Sequence, residues 1–454
     1  MTVNPTGYVL TGRVIDGTGA KPIENGAVVV VGDRITWVGE QKAIPDIWKA
    51  ESSSMKVVDA GTGTIMPGLV DAHCHISYGE PRTEEELSMY GSAEWRAILA
   101  AYNARKVLRA GVTSASDPAS VYRVSLAVRD AIEAGLIEGP RFAVSGPQIT
   151  THQGLEDGFP NWIQNPSGNA GVLARSKDEM LEMVRYQVKD TVDFIKVSGS
   201  GDATSYYNPI VGCSFRLDEL ELIVDVTHQL GKSCTIHARS AESVAFAAKA
   251  GFDWIMHASF MDDAALELVV DRKIPICPAL TLLVNMLDAG GAGMSDRARD
   301  SLKREIDEGA ANIRRAYDAG VPIMAGSESG FSLTPYGEWH AKEMEILVTH
   351  VGLSPLEAIS AGTLQAARAL PRLTHEIGSL EPNKFADILI VDGDPSKNIS
   401  VLLRKNLFKM VMKSGKPTEL GEILPPRERQ RFEKQHVYYD GIHTFPSDYA
   451  DPEL

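Results

Sequence analysis

Apolar residues along the chain follow one pattern at both ends and a different pattern in the middle. Near the N-terminus, runs rich in valine and isoleucine, such as Ala27–Val31 and Ile35–Val38, are separated by Gly-Asp turns, and similar runs return at Ala386–Asp392 and Phe408–Lys413. β-Branched runs bounded by turn residues predict antiparallel strands. Because the two β-rich stretches flank a different middle region, we expect one small β-sandwich domain built from both termini.

The middle of the chain alternates between short apolar runs and longer amphipathic patterns. The apolar runs predict strands at Ile65–Val70, Val112–Ser116, Arg141–Ser145, Phe194–Ser198, Ser233–His237, Trp254–His257, Ile274–Pro278 and Val321–Ala325. The amphipathic patterns predict helices at Glu94–Ala110, Lys177–Asp190, Leu217–Leu230, Ala241–Ala250, Ala264–Asp271 and Arg297–Ala319. About eight strand–helix units in roughly 300 residues are typical of an α/β fold with a parallel (β/α)8 TIM barrel. A doubly wound sheet is the competing architecture.

These patterns divide the chain into four parts. We assign residues 1–64 and 376–416 to the two parts of the β-sandwich domain, and residues 65–375 to the barrel. The remaining residues, 417–454, form a charged and aromatic C-terminal tail. The tail has no clear strand or barrel helix, and the sequence does not choose between packing on its own barrel and packing on a neighbouring subunit.

The charge and cysteine content of the chain limit the kinds of molecule that it is expected to bind and the compartment in which it is expected to act. The net charge is -15 and the pI is near 5.3, which argues against nucleic acid and anionic membrane surfaces. The four cysteines have no paired spacing, which suits a reducing compartment. Since the N-terminus lacks a signal-peptide pattern and no apolar run is long enough to cross a bilayer, we expect a cytoplasmic protein that acts on a small molecule.

The segment Met66–Ile76 carries the most informative motif of the chain. A short buried strand runs into His73 and His75, with Cys74 between them. In extended chain, residues two apart point to the same side, so both imidazoles can aim at one point. Two convergent imidazoles suit a zinc-type divalent ion, although a pair of core or solvated histidines is the alternative for this motif taken alone.

Further polar residues fall at the ends of other predicted strands, where a TIM barrel carries its chemistry. These are Lys196 inside an apolar strand, His237 and His257 at two strand ends, and Glu328 after the eighth strand. Each has an ordinary structural explanation by itself. Together with His73 and His75 they predict a metal site.

Over almost its whole length, the chain resembles the metal-dependent amidohydrolase superfamily. The resemblance rests on the Pro-Gly-Leu-Val-Asp-Ala-His-Cys-His motif ending at His75 and on the closing run Gly378–Leu389. A finer resemblance is to the branch of Xaa-Pro and N-acyl-amino-acid dipeptidases and of molinate and phenylurea herbicide hydrolases. It rests on the runs Gly111–Asp117, Gln148–Gly154 and Phe194–Asp202.

The resemblance implies one or two divalent ions per chain, zinc first, with cobalt, manganese or iron as alternatives. The implied metal ligands are His73, His75, Lys196, His237, His257 and Glu328, with Lys196 converted by CO2 to a bridging carbamate. Where the family has Gly-Thr-Asp after the eighth strand, this sequence has Gly326-Ser327-Glu328. The additional methylene moves the carboxylate by roughly 1.5 Å, which leaves the number of ions open.

The implied reaction is metal-assisted hydrolysis of an amide-type C–N bond in an amide, urea or carbamate, with a phenylurea or related xenobiotic among the candidates. The metal would generate hydroxide from bound water, and a second metal or His152 would polarise the carbonyl. Glu328 would accept the water proton and pass it to the departing nitrogen. His152, Tyr207 and Arg239 are the candidate substrate-binding residues, although Arg239 is equally able to pair with a neighbouring acid.

Other functions stay open at this stage. One is an Xaa-Pro or N-acyl-amino-acid dipeptidase, and another is a mononuclear deaminase, against which Lys196 counts. A cyclic-amide or imidazolone hydrolase and a barrel without activity are the remaining alternatives. Relatives are commonly oligomeric, so we expect a homo-oligomer.

Overall fold

Strands from both ends of the chain form one sheet, and strands from the middle form a barrel. The computed structural model describes residues 6–49, 54–202, 212–289 and 296–421. The terminal sheet contains β1 (Thr6–Val14), β2 (Ile23–Val31), β3 (Arg34–Glu40), β4 (Ser54–Pro67), β14 (Ile388–Val391), β15 (Phe408–Lys413) and β16 (Lys416–Pro417). These strands form one continuous seven-stranded sheet in the order β16-β15-β14-β4-β1-β2-β3. The small β-domain predicted from both termini is therefore confirmed.

The valine run in β2 is apolar at every position because both faces of this sheet are covered. Val28 and Val30 belong to one apolar cluster, and Ala27 and Val29 belong to another. Successive side chains in a strand point to opposite faces. A continuous apolar run therefore fits a strand that is buried on both sides.

The barrel strands pair in parallel, as predicted. They are β5 (Leu69–Asp71), β6 (Val112–Asp117), β7 (Arg141–Val144), β8 (Gln148–Thr150), β9 (Gly171–Leu173), β10 (Phe194–Ser198), β11 (Ser233–Ala238), β12 (Trp254–His257) and β13 (Ile276–Cys277). They hydrogen-bond in the orders β5-β6-β7 and β13-β12-β11-β10-β8-β9. The backbone N–H of Asp193 donates to Val144 O at 2.8 Å and joins the two groups.

The eighth predicted strand closes the barrel without forming a regular strand. Met324 N donates to Ile276 O at 2.8 Å, and Ala72 N donates to Ala325 O at 3.0 Å. Residues 321–325 thus lie between β13 and β5. This arrangement confirms the predicted TIM barrel.

The first predicted barrel strand begins later than the sequence indicated. Ile65 and Met66 belong to β4 and pair with β14, whereas the barrel strand β5 starts at Leu69. Gly68 alone separates the two strands. A Cβ on Gly68 would lie 2.4 Å from the side chain of Thr113, so only glycine fits at this crossing.

Eleven α-helices lie among the described residues, mostly between the barrel strands. They are α1 (Glu84–Ser88), α2 (Ala93–Arg109), α3 (Val124–Glu133), α4 (Lys177–Lys189), α5 (Leu217–Gln229), α6 (Ala241–Ala250), α7 (Asp263–Arg272), α8 (Thr281–Asp288), α9 (Asp296–Asp318), α10 (Lys342–Thr349) and α11 (Pro355–Ser360). The six predicted helices match α2, α4, α5, α6, α7 and α9 to within one residue at each end. None of the described helices is long and apolar enough to cross a membrane.

Candidate metal centre

One cavity of about 530 Å³ contains all six side chains predicted to bind metal. Its lining includes His73, His75, Lys196, His237, His257 and Glu328. These residues lie within β10, β11 and β12 or shortly after β5 and the barrel-closing segment 321–325. The carboxyl ends of the strands are where a TIM barrel places its reactive groups.

His73 and His75 converge as the alternation of the strand predicts. Their Nε2 atoms lie 3.0 Å apart, and both side chains are buried. The ring of His75 stacks on Tyr78, with ring centroids 4.1 Å apart. A common ion at roughly 2.0–2.1 Å from each nitrogen is compatible with this separation.

His237 and His257 are oriented by backbone carbonyl groups. His257 Nδ1 donates to Pro278 O at 3.3 Å, which leaves the lone pair on Nε2, and that atom has no hydrogen-bond partner among the described residues. His237 Nε2 donates to Gly201 O at 3.2 Å, which leaves the lone pair on Nδ1. Carbonyl acceptors of this kind commonly orient histidine ligands of metals.

The four site histidines (His73, His75, His237 and His257) are neutral because they are buried together. Burial lowers the pKa of each imidazole well below its usual value, and neighbouring cationic groups lower it further. A neutral imidazole offers a nitrogen lone pair to a metal, whereas a protonated one does not. The four rings are therefore in the protonation state that metal binding requires.

Lys196 is a buried lysine with a thioether as its neighbour. Its side chain is 2% exposed, and Nζ lies 2.6 Å from Met256 Sδ. Burial lowers the pKa of Lys196 to about 7, and the nearby Glu328 carboxylate opposes that shift. At neutral pH a large fraction of the amine is consequently uncharged, and the uncharged amine is the form that reacts with CO2.

Glu328 reaches the histidines despite its additional methylene. The backbone of Glu328 has a positive φ of 53°. One carboxylate oxygen of Glu328, one ring nitrogen of His73 and one ring nitrogen of His257 all lie within 4.8 Å of one another. Glu328 Oε2 is buried and has no hydrogen-bond partner within the described part of the chain. Positive φ at a residue other than glycine is often found where function imposes the backbone conformation.

Gly326 allows the closing segment to approach His73. A Cβ at position 326 would lie 2.5 Å from Cys277 Sγ and 2.7 Å from His73 Cβ. Any larger residue would force the segment that carries Glu328 away from the histidines.

Asp71 fixes the backbone on both sides of the centre. Its carboxylate accepts from His73 N at 3.0 Å, from Ser327 N at 2.9 Å and from Ser327 Oγ at 2.5 Å. His340 Nδ1 donates to Asp71 at 2.7 Å, because His340 Nε2 already accepts from Gly337 N at 3.0 Å. Cys74 lies beside this pair, but the hydrogen bonds already satisfy Asp71 and His340, so the group supports the centre rather than offering a second ion site.

Asp117 lies behind His75. Its Oδ1 is 3.8 Å from His75 Nδ1, and its Oδ2 accepts from Ser125 Oγ at 2.5 Å and from Ile76 N at 3.2 Å. Burial raises the pKa of Asp117 to about 7, and these hydrogen bonds oppose the shift. Neither Asp71 nor Asp117 was singled out as a functional residue from the sequence, although both lie in the motifs that carry the family resemblance.

The donor set fits a divalent metal. His257 Nε2 and Glu328 Oε2 are buried polar atoms without hydrogen-bond partners in the described ranges, and the Nε2 atoms of His73 and His75 face each other at 3.0 Å. Buried polar atoms normally have partners, so such a group requires an explanation. Imidazole nitrogens with one carboxylate are ligands that zinc and related ions accept.

Two predicted substrate-binding residues lie away from the cavity, and one lies outside the described residues. His152 is exposed and pairs with Asp157, with 3.2 Å between Nδ1 and Oδ2, and it does not line the cavity. Arg239 is fully buried and pairs with Glu305 and, at 3.2 Å, with Asp202. The arrangement favours the alternative that Arg239 pairs with neighbouring acids. Tyr207 is outside the described ranges.

The remaining lining of the cavity combines apolar and acidic side chains that the sequence did not reveal. Leu282, Met286, Phe331 and Leu333 line it, and so do Glu84, Glu156 and Asp202. Glu84 and Glu156 lie in or near loops with no recognisable motif. Only the fold shows that they share a cavity with the metal centre.

The chain is similar to known amidohydrolases over most of its length. The model of the amidohydrolase family matches residues 64–418. Ochratoxinase from Aspergillus niger is 27% identical over 425 residues, which cover 90% of this chain and 85% of that protein. Imidazolonepropionase from Geobacillus kaustophilus (strain HTA426) is 24% identical over 409 residues, which cover 87% of this chain and 90% of that protein.

Solved structures superpose over most of the chain. The crystal structure of A. niger ochratoxinase matches with a TM-score of 0.81 and 24% identity, covering 91% of this chain and 96% of that one. An Xaa-Pro dipeptidase with bound methionine matches with a TM-score of 0.78 and 25% identity, covering 91% and 99%. Molinate hydrolase matches with a TM-score of 0.74 and 22% identity, covering 94% of this chain and 99% of that one. Phenylurea hydrolase B matches with a TM-score of 0.73 and 22% identity, covering 91% of this chain and 97% of that one. The predicted resemblance to this branch is confirmed.

Proposed function

The chain belongs to the amidohydrolase family, and we propose that it hydrolyses an amide-type C–N bond of a small molecule at a metal centre. The proposed substrate class is an amide, urea or carbamate with an apolar or aromatic group. The observation that carries the proposal is the convergence of the four site histidines, Lys196 and Glu328 on one cavity. Two of these side chains, His257 and Glu328, have buried polar atoms that lack a hydrogen-bond partner in the described part of the chain, and a bound ion would supply that partner.

We propose that the centre holds two divalent ions, with zinc the first candidate. His73, His75 and Glu328 would hold one ion, His237 and His257 the other, and Lys196 would bridge them as a carbamate. When bound, such ions supply Lewis acidity that polarises a carbonyl group and lowers the pKa of a coordinated water. The neutral state of the histidines and the lowered pKa of Lys196 both support this assignment.

Glu328 is the proposed proton carrier. In the metal-free protein, burial raises the pKa of its carboxyl group to about 8, while Arg239 and Lys196 oppose that shift, and a bound divalent ion would lower this pKa again and keep the group ionised. A carboxylate whose pKa lies near neutrality can accept a proton and release it again in one catalytic cycle. In this proposal Oε2 takes the proton of the attacking water and then delivers it to the departing nitrogen, which is a poor leaving group as an anion.

The chain's own side chains also position the substrate. Leu282, Met286 and Phe331 form an apolar part of the cavity, where an aromatic or aliphatic substituent can exclude water from the reacting bond. Similarity to ochratoxinase, molinate hydrolase and phenylurea hydrolase B supports a substrate with such a substituent.

Three alternatives compete with this substrate class. An Xaa-Pro or N-acyl-amino-acid dipeptidase requires a group for the substrate carboxylate, and the pairing of Arg239 with Glu305 and Asp202 removes the cation predicted for that task. A cyclic-amide hydrolase draws support from the similarity to imidazolonepropionase. A mononuclear deaminase is disfavoured because Lys196 faces the same cavity as the histidines.

A substrate panel with metal depletion tests the proposal. The purified full-length protein is assayed against an N-acyl amine, a phenylurea, a thiocarbamate, an Xaa-Pro dipeptide, imidazolone propionate and adenine. We expect hydrolysis of one or more of the first three, loss of that activity with a chelator, and recovery with Zn²⁺, Co²⁺ or Mn²⁺. Hydrolysis that survives complete removal of metal, or activity confined to adenine, would contradict the proposal.

A further inference from the structure

We infer that the substrate of this site carries an organic cation, a protonated amine or a guanidinium group, and that Glu84 and Glu156 bind it. The inference rests on the proposed function, because it assigns a substrate class to the same cavity. Both carboxylates line the cavity that contains the metal centre. A further ligand subsite there would select among amides, ureas and carbamates.

Glu156 is held in place by a chain of hydrogen bonds. Gln148 Nε2 donates to Glu156 Oε1 at 2.7 Å, and Ser198 Oγ donates to Gln148 Oε1 at 2.6 Å. Ser198 ends β10, the strand that carries Lys196. The carboxylate is thus tied to the rigid barrel, and such support is what a preorganised binding group requires.

Glu84 reaches the same cavity from the helix α1. Its Oε1 accepts from Ser88 Oγ at 2.8 Å. A Cβ on Gly158 would lie 3.9 Å from Glu84 Cδ, so the helix lies against the loop segment that carries Glu156. The two carboxylates influence each other: burial raises the pKa of Glu156 well above its usual value, and the charge of Glu84 raises it further.

Among the described residues, the arginine and lysine side chains that line the cavity are Arg82 and Lys196, and Lys196, converted to the proposed carbamate, would carry no positive charge. Arg82 Nε donates to Glu86 at 2.9 Å, and Arg239 pairs with Asp202 and Glu305. Within the described ranges, neither Glu84 nor Glu156 forms an ion pair with a lysine, arginine or histidine. Two neighbouring carboxylates without a cationic partner attract a cation from solution, and each charge-assisted hydrogen bond strengthens that binding.

The cavity itself is built for a ligand. His257 Nε2 and Glu328 Oε2 face it without hydrogen-bond partners in the described part of the chain, and these residues are 1% and 7% exposed. Leu282, Met286 and Phe331 supply an apolar surface in the same space. The combination suits an amphipathic substrate with an apolar group, a hydrolysable C–N bond and a cationic end.

A pair of ligands that differ in one charge tests the inference. N-Benzoyl-1,4-diaminobutane ends in an ammonium group, and N-benzoylpentylamine has a methyl group at the same position. Binding of each to the metal-loaded full chain is measured by calorimetry, and hydrolysis of each is followed separately. We expect the cationic ligand to bind at least about tenfold more tightly, because its ammonium group can form charge-assisted hydrogen bonds with the two carboxylates.

Conservative variants assign the preference to the two carboxylates. In Glu84→Gln and Glu156→Gln we expect the cationic ligand to lose most of its advantage, while the neutral ligand binds as in the wild type. Glu85→Gln is the matched control, because Glu85 neighbours Glu84 on α1 but does not line the cavity. If one variant does not fold, the other variant and the wild-type comparison still decide the question.

Three results would overturn the inference. One is equal binding of the two ligands to the wild type, and another is a cationic preference that survives in both glutamine variants. The third is an additional equivalent of Mg²⁺ or Zn²⁺ that is lost in these variants, since the carboxylates would then bind an inorganic ion. The proposed function is judged separately, because absence of hydrolysis for every amide tested contradicts it without changing the ratio of the two binding constants.

Discussion

The backbone N–H of Glu328 donates to the carbonyl oxygen of His73 at 2.7 Å. This hydrogen bond joins the segment that closes the barrel to the segment that carries the first pair of histidines. Together with the positive φ of Glu328, it turns the longer carboxylate toward His73 and His257. The backbone therefore accommodates the glutamate that stands where the family pattern has aspartate.

Replacing Glu328 by glutamine is expected to depress turnover far more than substrate affinity. The variant keeps the size of the side chain but loses the carboxylate that carries the proton, so kcat should fall at least about 100-fold, with KM changed only a few-fold. Glu338→Gln is the control, since Glu338 pairs with Lys405 away from the cavity. A Glu328→Gln enzyme with ordinary kcat would remove Glu328 from proton transfer.

Replacing Lys196 by alanine is expected to abolish activity in a way that a small acid partly reverses. The variant leaves space where the proposed carbamate would lie, and acetate or propionate can supply a bridging carboxylate there. Activity and bound metal are measured with and without the acid, and Lys189→Ala, at the exposed end of α4, is the control. Full activity of Lys196→Ala without any additive would be incompatible with a bridging carbamate.

The buried Lys196 amine predicts how the stability of the metal-free protein depends on pH. Its pKa is about 7 in the folded protein and 10.5 in the reference state, so the unfolded chain binds more protons between these values. Stability should therefore rise with pH from about 7 toward 10.5, by at most about 1.4 kcal/mol per pH unit. Thermal unfolding in CO2-free buffer measures this slope.

Lys196→Met isolates the contribution of this amine to the pH dependence. Lys413, whose pKa burial lowers to about 8, contributes to the same pH range in both proteins. The difference between wild type and variant therefore reports Lys196 together with its charge interaction with Glu328. If the two proteins show the same slope above pH 7, the folded protein does not depress the pKa of Lys196.

Asp71→Asn is expected to weaken both the fold and the metal centre. The Asp71 carboxylate accepts hydrogen bonds from His73 N, from Ser327 and from His340. In asparagine one of the two oxygens is replaced by an NH2 group, which would face some of these donors and could not accept their hydrogen bonds. We expect the free energy of unfolding to fall by about 2–4 kcal/mol, measured by urea denaturation, together with weaker Zn²⁺ binding by calorimetry. Asp33→Asn, at an exposed turn, should leave both quantities unchanged.

The barrel strands and helices and the metal ligands could be predicted from the sequence because each is marked by a pattern in neighbouring residues. Apolar periodicity located α4, α5 and β10, and the His-x-His spacing placed His73 and His75 on one side of the chain. Lys196 was recognisable because a lysine within an apolar strand is unusual.

Other parts of the site depend on contacts between distant segments. Glu84 and Glu156 lie 72 positions apart and meet only because α1 packs against a loop after β8. The sequence makes Arg239 a candidate for binding a substrate carboxylate, but Glu305, in α9, pairs with it. The end of β4 and the start of β5 were merged in the prediction, since both are apolar and only the pairing with β14 separates them.

The metal content of the chain decides whether the barrel holds two ions bridged by Lys196. Protein purified without chelator is analysed for divalent metals by elemental analysis, and the amount is expressed per chain. We expect close to two ions per wild-type chain and a clear loss in Lys196→Ala. One ion per chain in both proteins would contradict the bridged centre, and protein that binds no divalent ion would contradict the metal-dependent reaction itself.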